Sequence, residues 1–228
     1  RWMSRHPPVS TLPDRARVWE NVYVCLLPQG KSERLFPVSQ SNQWGYVNEN
    51  GKYAINPQFE SASHFVEGLA KVEFGHKYGF INKAGKYEIN PQFENASDFS
   101  EGLAAASIGG KWGFVDKSGK YVINPQFDSA YKFTKGLAVV SMEGRYGYVD
   151  KTGKYVISPQ FDYVSDFSEG LAAVSSEGKY GYIDKTGKIV IPLRFERAGD
   201  FSEGLAPVMP VLTSVGLAVA VPIKSVPA

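Results

Sequence analysis

The segment Gly178–Lys188 reads "GKYGYIDKTGK", and Gly144–Lys154 reads "GRYGYVDKTGK". A chain needs a catalytic loop once, whereas a structural element is written as often as it is stacked. The aromatic-glycine pair at its centre recurs as Trp44-Gly45, Tyr78-Gly79, Trp112-Gly113, Tyr146-Gly147 and Tyr180-Gly181, each step 34 residues long. The same step carries Phe59, Phe93, Phe127, Phe161 and Phe195. It also carries Leu69, Leu103, Leu137, Leu171 and Leu205, and a glycine at 51, 85, 119, 153 and 187. Agreement across registers without slippage makes internal repetition the dominant signal.

A period of 34 also suits helix pairs, but each unit carries several glycines and a proline, which break helices of that length. The apolar spacing is mostly two, as strands require. The fourth unit reads as strand Gly170–Ser175, turn, strand Lys179–Asp184, turn, and strand Lys188–Ile191. The turn Asp184–Gly187 fits a type I turn with glycine in the left-handed region, capped by the aspartate side chain. Asp116 and Asp150 repeat the cap, with Asn48 and Asn82 in the first two units. The following segment spaces Phe93, Ala96 and Phe99 three apart. That spacing predicts a strand or corner entering one helical turn.

On the aromatic strand, Trp112 and Phe114 share one face, Gly113 and Val115 the other. Both faces are apolar or bare, so the strand is expected between neighbours, with the glycine admitting an adjacent unit closely. One meander cannot bury both faces, but a stack of them can. The expected fold is all-β: five tandem 34-residue antiparallel β-meander repeats stacked as a propeller-like ring, with an open superhelix as the alternative. Residues 33–208 hold the repeats. Residues 1–32 form an N-terminal extension with one strand over Val18–Leu27, and 209–228 form an apolar tail or closing strand.

The dipeptide, the following "(F/Y)(V/I)(D/N)xxGK", then "(N/S)PQF" and "EGLA", resemble the WG-repeat family of bacterial proteins over about three quarters of the chain. Lys135-Gly136 replaces Glu-Gly in one copy, and Ile-Pro-Leu-Arg-Phe195 replaces the "NPQF" form in the last. The resemblance implies a repeat module, often described as propeller-like, found as an array or beside other domains. It carries over no catalytic residue.

Composition narrows the function classes. Twenty-five basic and 23 acidic residues leave a net charge of +2, which gives no footprint for nucleic acid. One cysteine, Cys25, excludes an internal disulfide framework and leaves the compartment open. No signal-like segment opens the chain at Arg1. Residues 204–223 lack charge over membrane length, but "GLAPV" belongs to the repeat and Pro210 and Pro222 interrupt the rest. A buried terminal strand is expected there, with membrane contact through the tail as the alternative.

His6, His64 and His76 follow no period, and none is paired with a cysteine at ligand spacing, so neither zinc binding nor Cys-His catalysis is indicated. "DKTG" supplies one carboxylate where a calcium loop needs several oxygens. Ser-Glu-Gly recurs as a turn without a partner histidine, and no carboxylate pair stands out from the others. No catalytic residue, metal or cofactor is assigned. Function is expected where the repeats differ, in the first hairpin and the segment after the third strand. Phe74, His76, Tyr131, Met142 and Tyr163 stand out there as exposed contacts. The chain is therefore expected to be a non-enzymatic scaffold binding another protein or a larger assembly. A lectin-like glycan or peptidoglycan module and a hydrolase with a central-channel site are the alternatives.

Overall fold

The structure, a computed structural model, describes residues 34–210 and the backbone of 219–222. The strand expected over Val18–Leu27 lies outside the described residues. Five antiparallel sheets follow in chain order, and none closes into a barrel. The first holds β1 (Phe36–Gln40), β2 (Gln43–Val47) and β3 (Tyr53–Phe59). The second holds β4 (Ser61–Ala62), β5 (Ala70–Phe74), β6 (Lys77–Ile81) and β7 (Tyr87–Phe93). The third repeats this as β8 (Asn95–Ala96), β9 (Ala104–Ile108), β10 (Lys111–Val115) and β11 (Tyr121–Phe127). The fourth comprises β12 (Ser129–Ala130), β13 (Leu137–Met142), β14 (Arg145–Asp150) and β15 (Tyr155–Phe161). The fifth runs through β16 (Tyr163–Val164), β17 (Leu171–Ser176), β18 (Lys179–Asp184), β19 (Ile189–Ala198), β20 (Leu205–Pro210) and β21 (Val219–Pro222). The tail thus adds a strand: β21 pairs antiparallel with β20. Among the described residues no helix is long and apolar enough to cross a membrane.

The turn after each aromatic strand is built as its sequence dictates. Gly187 N–H donates to Asp184 O at 2.9 Å, and Gly187 has φ +87°. Asp184 Oδ1 accepts from Thr186 N–H at 2.9 Å, Thr186 Oγ1–H at 2.6 Å and Lys188 N–H at 3.1 Å. These bonds hold the Asp184 carboxyl below its ordinary range, the Thr186 hydroxyl contributing most.

The core lies between successive sheets and, at the end, within the fifth. Tyr46 meets Phe65, Phe80 meets Phe99, Phe114 meets Phe133 and Tyr148 meets Phe167 across sheets, and Tyr182 meets Phe201 inside the fifth sheet, all tilted or edge-on with ring centroids 4.7–4.9 Å apart. A second set of edge contacts joins Phe59 to Tyr87, Phe93 to Tyr121 and Phe127 to Tyr155 at 6.0–6.2 Å. Each such pair contributes about 0.5–1.5 kcal/mol beyond the area it buries. Where the first set carries tyrosine, the buried hydroxyl is satisfied. Tyr46, Tyr148 and Tyr182 donate to the carbonyls of Ser63, Ser165 and Gly199 at 2.9, 2.6 and 2.8 Å.

Two expectations are corrected. The glycine of the aromatic strand faces its own sheet, not an adjacent unit. The pairing shifts between Tyr78↔Phe93 and Phe80↔Ile89, so β7 bulges across Gly79. The glycine that meets an adjacent sheet is the one closing the turn: a Cβ on Gly85 would lie 3.3 Å from Ile55 Cγ1. The expected helical turn is also absent: the described residues contain no helix. Phe93, Ala96 and Phe99 are all buried because the chain passes there from one sheet to the next and faces one inter-sheet core throughout.

Candidate functional site: a groove along the short strands

The Glu-Gly turn between the short strand and the next strand ties neighbouring sheets together. Val66 and Leu69 pair across it, with Glu67 at φ +51° and Gly68 at +90°. A left-handed glutamate is strained and persists where its surroundings hold it. Glu67 accepts from Gly102 N–H of the third sheet at 3.1 Å and pairs with Lys117 at 3.2 Å. Glu101 does the same with Gly136 and Lys151 of the fourth sheet at 3.1 Å each. Lys135 breaks the series. Its ammonium instead donates to Phe167 O at 3.2 Å.

Residues of β8, β12 and β16 and the two or more residues that follow each lie along one wall. Together with residues of the neighbouring strands they line a cavity of about 870 Å³. Asp98, Lys132, Asp166 and Asp200 occupy equivalent repeat positions, and all four line it. Tyr131, Tyr163, Trp112 and Tyr146 add aromatic surface. Tyr131 is 51% and Tyr163 45% exposed, so their rings are open to a ligand. Tyr163 also stacks on Tyr180 at 5.7 Å.

The electrostatics follow the geometry. Burial first, then Asp200, Tyr180 and Asp166, raise the Tyr163 phenol. Burial and then Asp166 raise Tyr148, and burial and then Asp200 push Tyr182 up to about 12. Asp98 keeps one carboxylate oxygen buried with no hydrogen-bond partner among the described residues. At the near end, Lys71 donates to Ala96 O at 2.9 Å, its ammonium 5.5 Å from the centre of the Tyr78 ring.

The five residues singled out from sequence fall into two places. Tyr131 and Tyr163 line the groove. Phe74 and His76 sit at the β5–β6 hairpin, away from its lining, Phe74 being 54% exposed. Met142, expected to be exposed, is half-buried: it packs against the core between the third and fourth sheets, and Tyr155 OH donates to its sulfur at 2.8 Å. The hairpin itself is held by an acidic cap. Glu60 accepts from Gly75 N–H at 2.8 Å and His76 N–H at 3.1 Å. Glu94, Asp128 and Asp162 serve the equivalent hairpins. Glu60, Glu73 and His76 place one potential metal-ligand atom each within 4.8 Å of one another. Both Glu60 oxygens are engaged as the cap, and the His76 side chain is 93% exposed.

Sequence reading missed Asp98, Lys132, Asp166, Asp200, Trp112 and Tyr146 as groove residues. The available signal was that the first four end the variable segment, one period apart.

The model of the WG containing repeat matches residues 44–78, 78–112, 112–146, 146–180 and 180–209. The chain belongs to the WG containing repeat family. None of the curated proteins matches this member of it. Among solved structures it is similar to the extracellular domain of a one component system from B. thetaiotaomicron, at 12% identity and TM-score 0.40, over 78% of this chain and 29% of that one. The WG-repeat chain therefore spans less than a third of that structure. A plant lectin from Cicer arietinum is similar at 13% identity and TM-score 0.25, over 51% of this chain and 81% of the lectin.

Proposed function

We propose that this WG-repeat chain is a non-catalytic interaction module that holds a segment of a partner protein in the groove beside the short strands. The observation that carries the reading is the convergence of repeat-variable residues, Tyr131 and Tyr163 with Asp98, Asp166 and Asp200, on one cavity. Repeat-invariant aromatics make most of the core, whereas these residues, which differ between units, gather on the groove wall. Exposed aromatics beside polar groups are the composition of a binding pocket and of interaction hot spots. The test is affinity capture from native host extract, comparing wild type with Tyr131→Ala plus Tyr163→Ala. Loss of the captured protein in the double variant, with its melting unchanged, supports the reading. Equal capture by both, or elution of the wild type alone at every salt concentration, overturns it.

A second reading has its own observation: open tyrosine rings beside carboxylates also suit a glycan, the rings packing on sugar faces and the carboxylates accepting from hydroxyls. A glycan array separates the two, since a specific oligosaccharide hit lost in the same double variant would favour the lectin-like reading.

A further inference from the structure

The first unit of the groove contains its own occupant. The Lys71 ammonium reaches the Ala96 carbonyl at 2.9 Å and lies 5.5 Å from the Tyr78 ring centre. An ammonium so placed satisfies a donor and meets the negative face of a ring. One period on, the ring is Trp112 and the carbonyl residue Ala130, but Ala105 stands where Lys71 would be. Two periods on, the ring is Tyr146 and the carbonyl residue Val164, with Val139 in place of the lysine. Trp112, Ala130, Tyr146 and Val164 line the same cavity as Lys71, Ala96 and Val139. The later units thus keep the aromatic ring and the carbonyl residue of the cation seat while omitting the cation.

The charges agree. Three carboxylates, Asp98, Asp166 and Asp200, line the cavity against two ammonium groups, Lys71 and Lys132, an excess of one negative charge. The chain as a whole is slightly basic at +2, so this wall runs against the average. The cavity crosses four consecutive sheets, which suits an extended occupant better than a compact one. A glycan's hydroxyls can donate to these carboxylates, but a neutral sugar leaves their charge uncompensated.

We propose that the groove binds an extended peptide segment bearing lysine or arginine side chains, whose cationic ends take the place over Trp112 and Tyr146 that Lys71 takes over Tyr78. This rests on the reading of the groove as a partner-binding surface and specifies the partner's chemistry. Arginine suits the seat equally, because guanidinium stacks on aromatic faces. No bond is made or broken; binding is electrostatic and sensitive to salt.

The test uses calorimetric titration of the full chain with octalysine, octaarginine, octaglutamate and a neutral chito-oligosaccharide. The expected result is binding of the two basic peptides only, weakening about tenfold or more between roughly 50 and 500 mM salt. Asp166→Asn with Asp200→Asn should weaken it about tenfold. Val139→Lys supplies the missing cation from within and should block the peptides at that seat. Because Val139 is buried, the aspartate pair keeps the test decisive if that variant fails to fold. Equal affinity in the aspartate pair, octaglutamate binding as well as octalysine, or tighter binding of the oligosaccharide overturns the proposal. Capture of the native partner separates the two levels. Capture lost with the tyrosine variants but kept in the aspartate pair would leave the groove reading standing without its cation. Capture insensitive to both would remove both.

Discussion

The carbonyl oxygen of Ile89 lies 2.6 Å from where a Cβ on Gly79 would stand, and Pro91 N is equally close. Both are backbone atoms of the bulge that crosses this glycine, so neither can swing aside. All five glycines of the dipeptide face the equivalent bulge. Gly79→Ala should therefore destabilise by at least about 3 kcal/mol, the upper end of overpacking costs. Gly178→Ala is the control: φ is +73° but nothing lies within 4 Å, so only backbone strain of about 1 kcal/mol is added. Denaturant unfolding of the two variants checks the difference, and equal costs would refute the bulge as the reason for the glycine.

Lys135 marks the one turn of the series where glutamate is absent. Lys135→Glu should restore the clasp, accepting from Gly170 N–H and pairing with Lys185, the residues equivalent to Gly136 and Lys151 on Glu101. It gives up the bond to Phe167 O. An exposed pair of this kind contributes about 0.2–1 kcal/mol, so a rise in melting temperature of about 1–3 °C is expected. A fall would show that the lysine is the better residue there.

Acid should loosen the turns. The Asp116, Asp150 and Asp184 carboxyls are held below their ordinary value of 3.8, chiefly by the Ser118, Thr152 and Thr186 hydroxyls. Below that value the unfolded chain takes up protons first, so stability present above it is lost as pH falls through the folded values. Replacing the three hydroxyl residues (Ser118→Ala, Thr152→Val, Thr186→Val) should flatten the acid limb of a melting-temperature profile. An unchanged limb would assign it to other carboxylates.

Alkali acts through the buried phenols with the opposite sign. Tyr182 is pushed up from 10.0 to about 12, and Tyr46 and Tyr148 rise further, each chiefly by burial. The unfolded chain ionises first above pH 10, so stability falls from there through the folded values. Phe80 and Phe114 occupy the same position, which shows that the site accepts phenylalanine. Each Tyr→Phe change should cost about 1 kcal/mol at neutral pH through its lost hydrogen bond. The triple variant should shift the alkaline limb upward, and melting across pH 7–12 reads both effects.

Met142→Ala should behave as a core truncation, not as loss of a surface contact. It removes packing against the inter-sheet core and the acceptor for Tyr155 OH. A cost of about 2 kcal/mol is expected, with no change in partner capture.

Much of this architecture was legible because the relevant physics is local and repeated. The period, the Asp184–Gly187 turn and the stacked aromatic positions each follow from short-range chemistry. The role of Gly79 was not legible, since the bulge opposite it depends on a pairing register that alternation does not reveal. The spacing of Phe93, Ala96 and Phe99 misled because a chain crossing between sheets can present three-residue spacing without a helix. Tyr131 and Tyr163 were found as variable residues. Their meeting with Asp166 and Asp200 was not, because equivalent loops converge only once the sheets are stacked. Met142 was misread because a polar hairpin does not show which way its one apolar side chain turns.

The clasp from Lys117 to Glu67 spans 50 residues of chain, and the ring stacks span 19. Cohesion is thus passed from each sheet to its successor. Excising one period, such as 112–145, would join Lys111 to Tyr146 and give the orphaned sheet a new neighbour of the same kind. The length of the groove is in that sense an adjustable quantity, set by how many periods the gene contains and independent of how each sheet is packed.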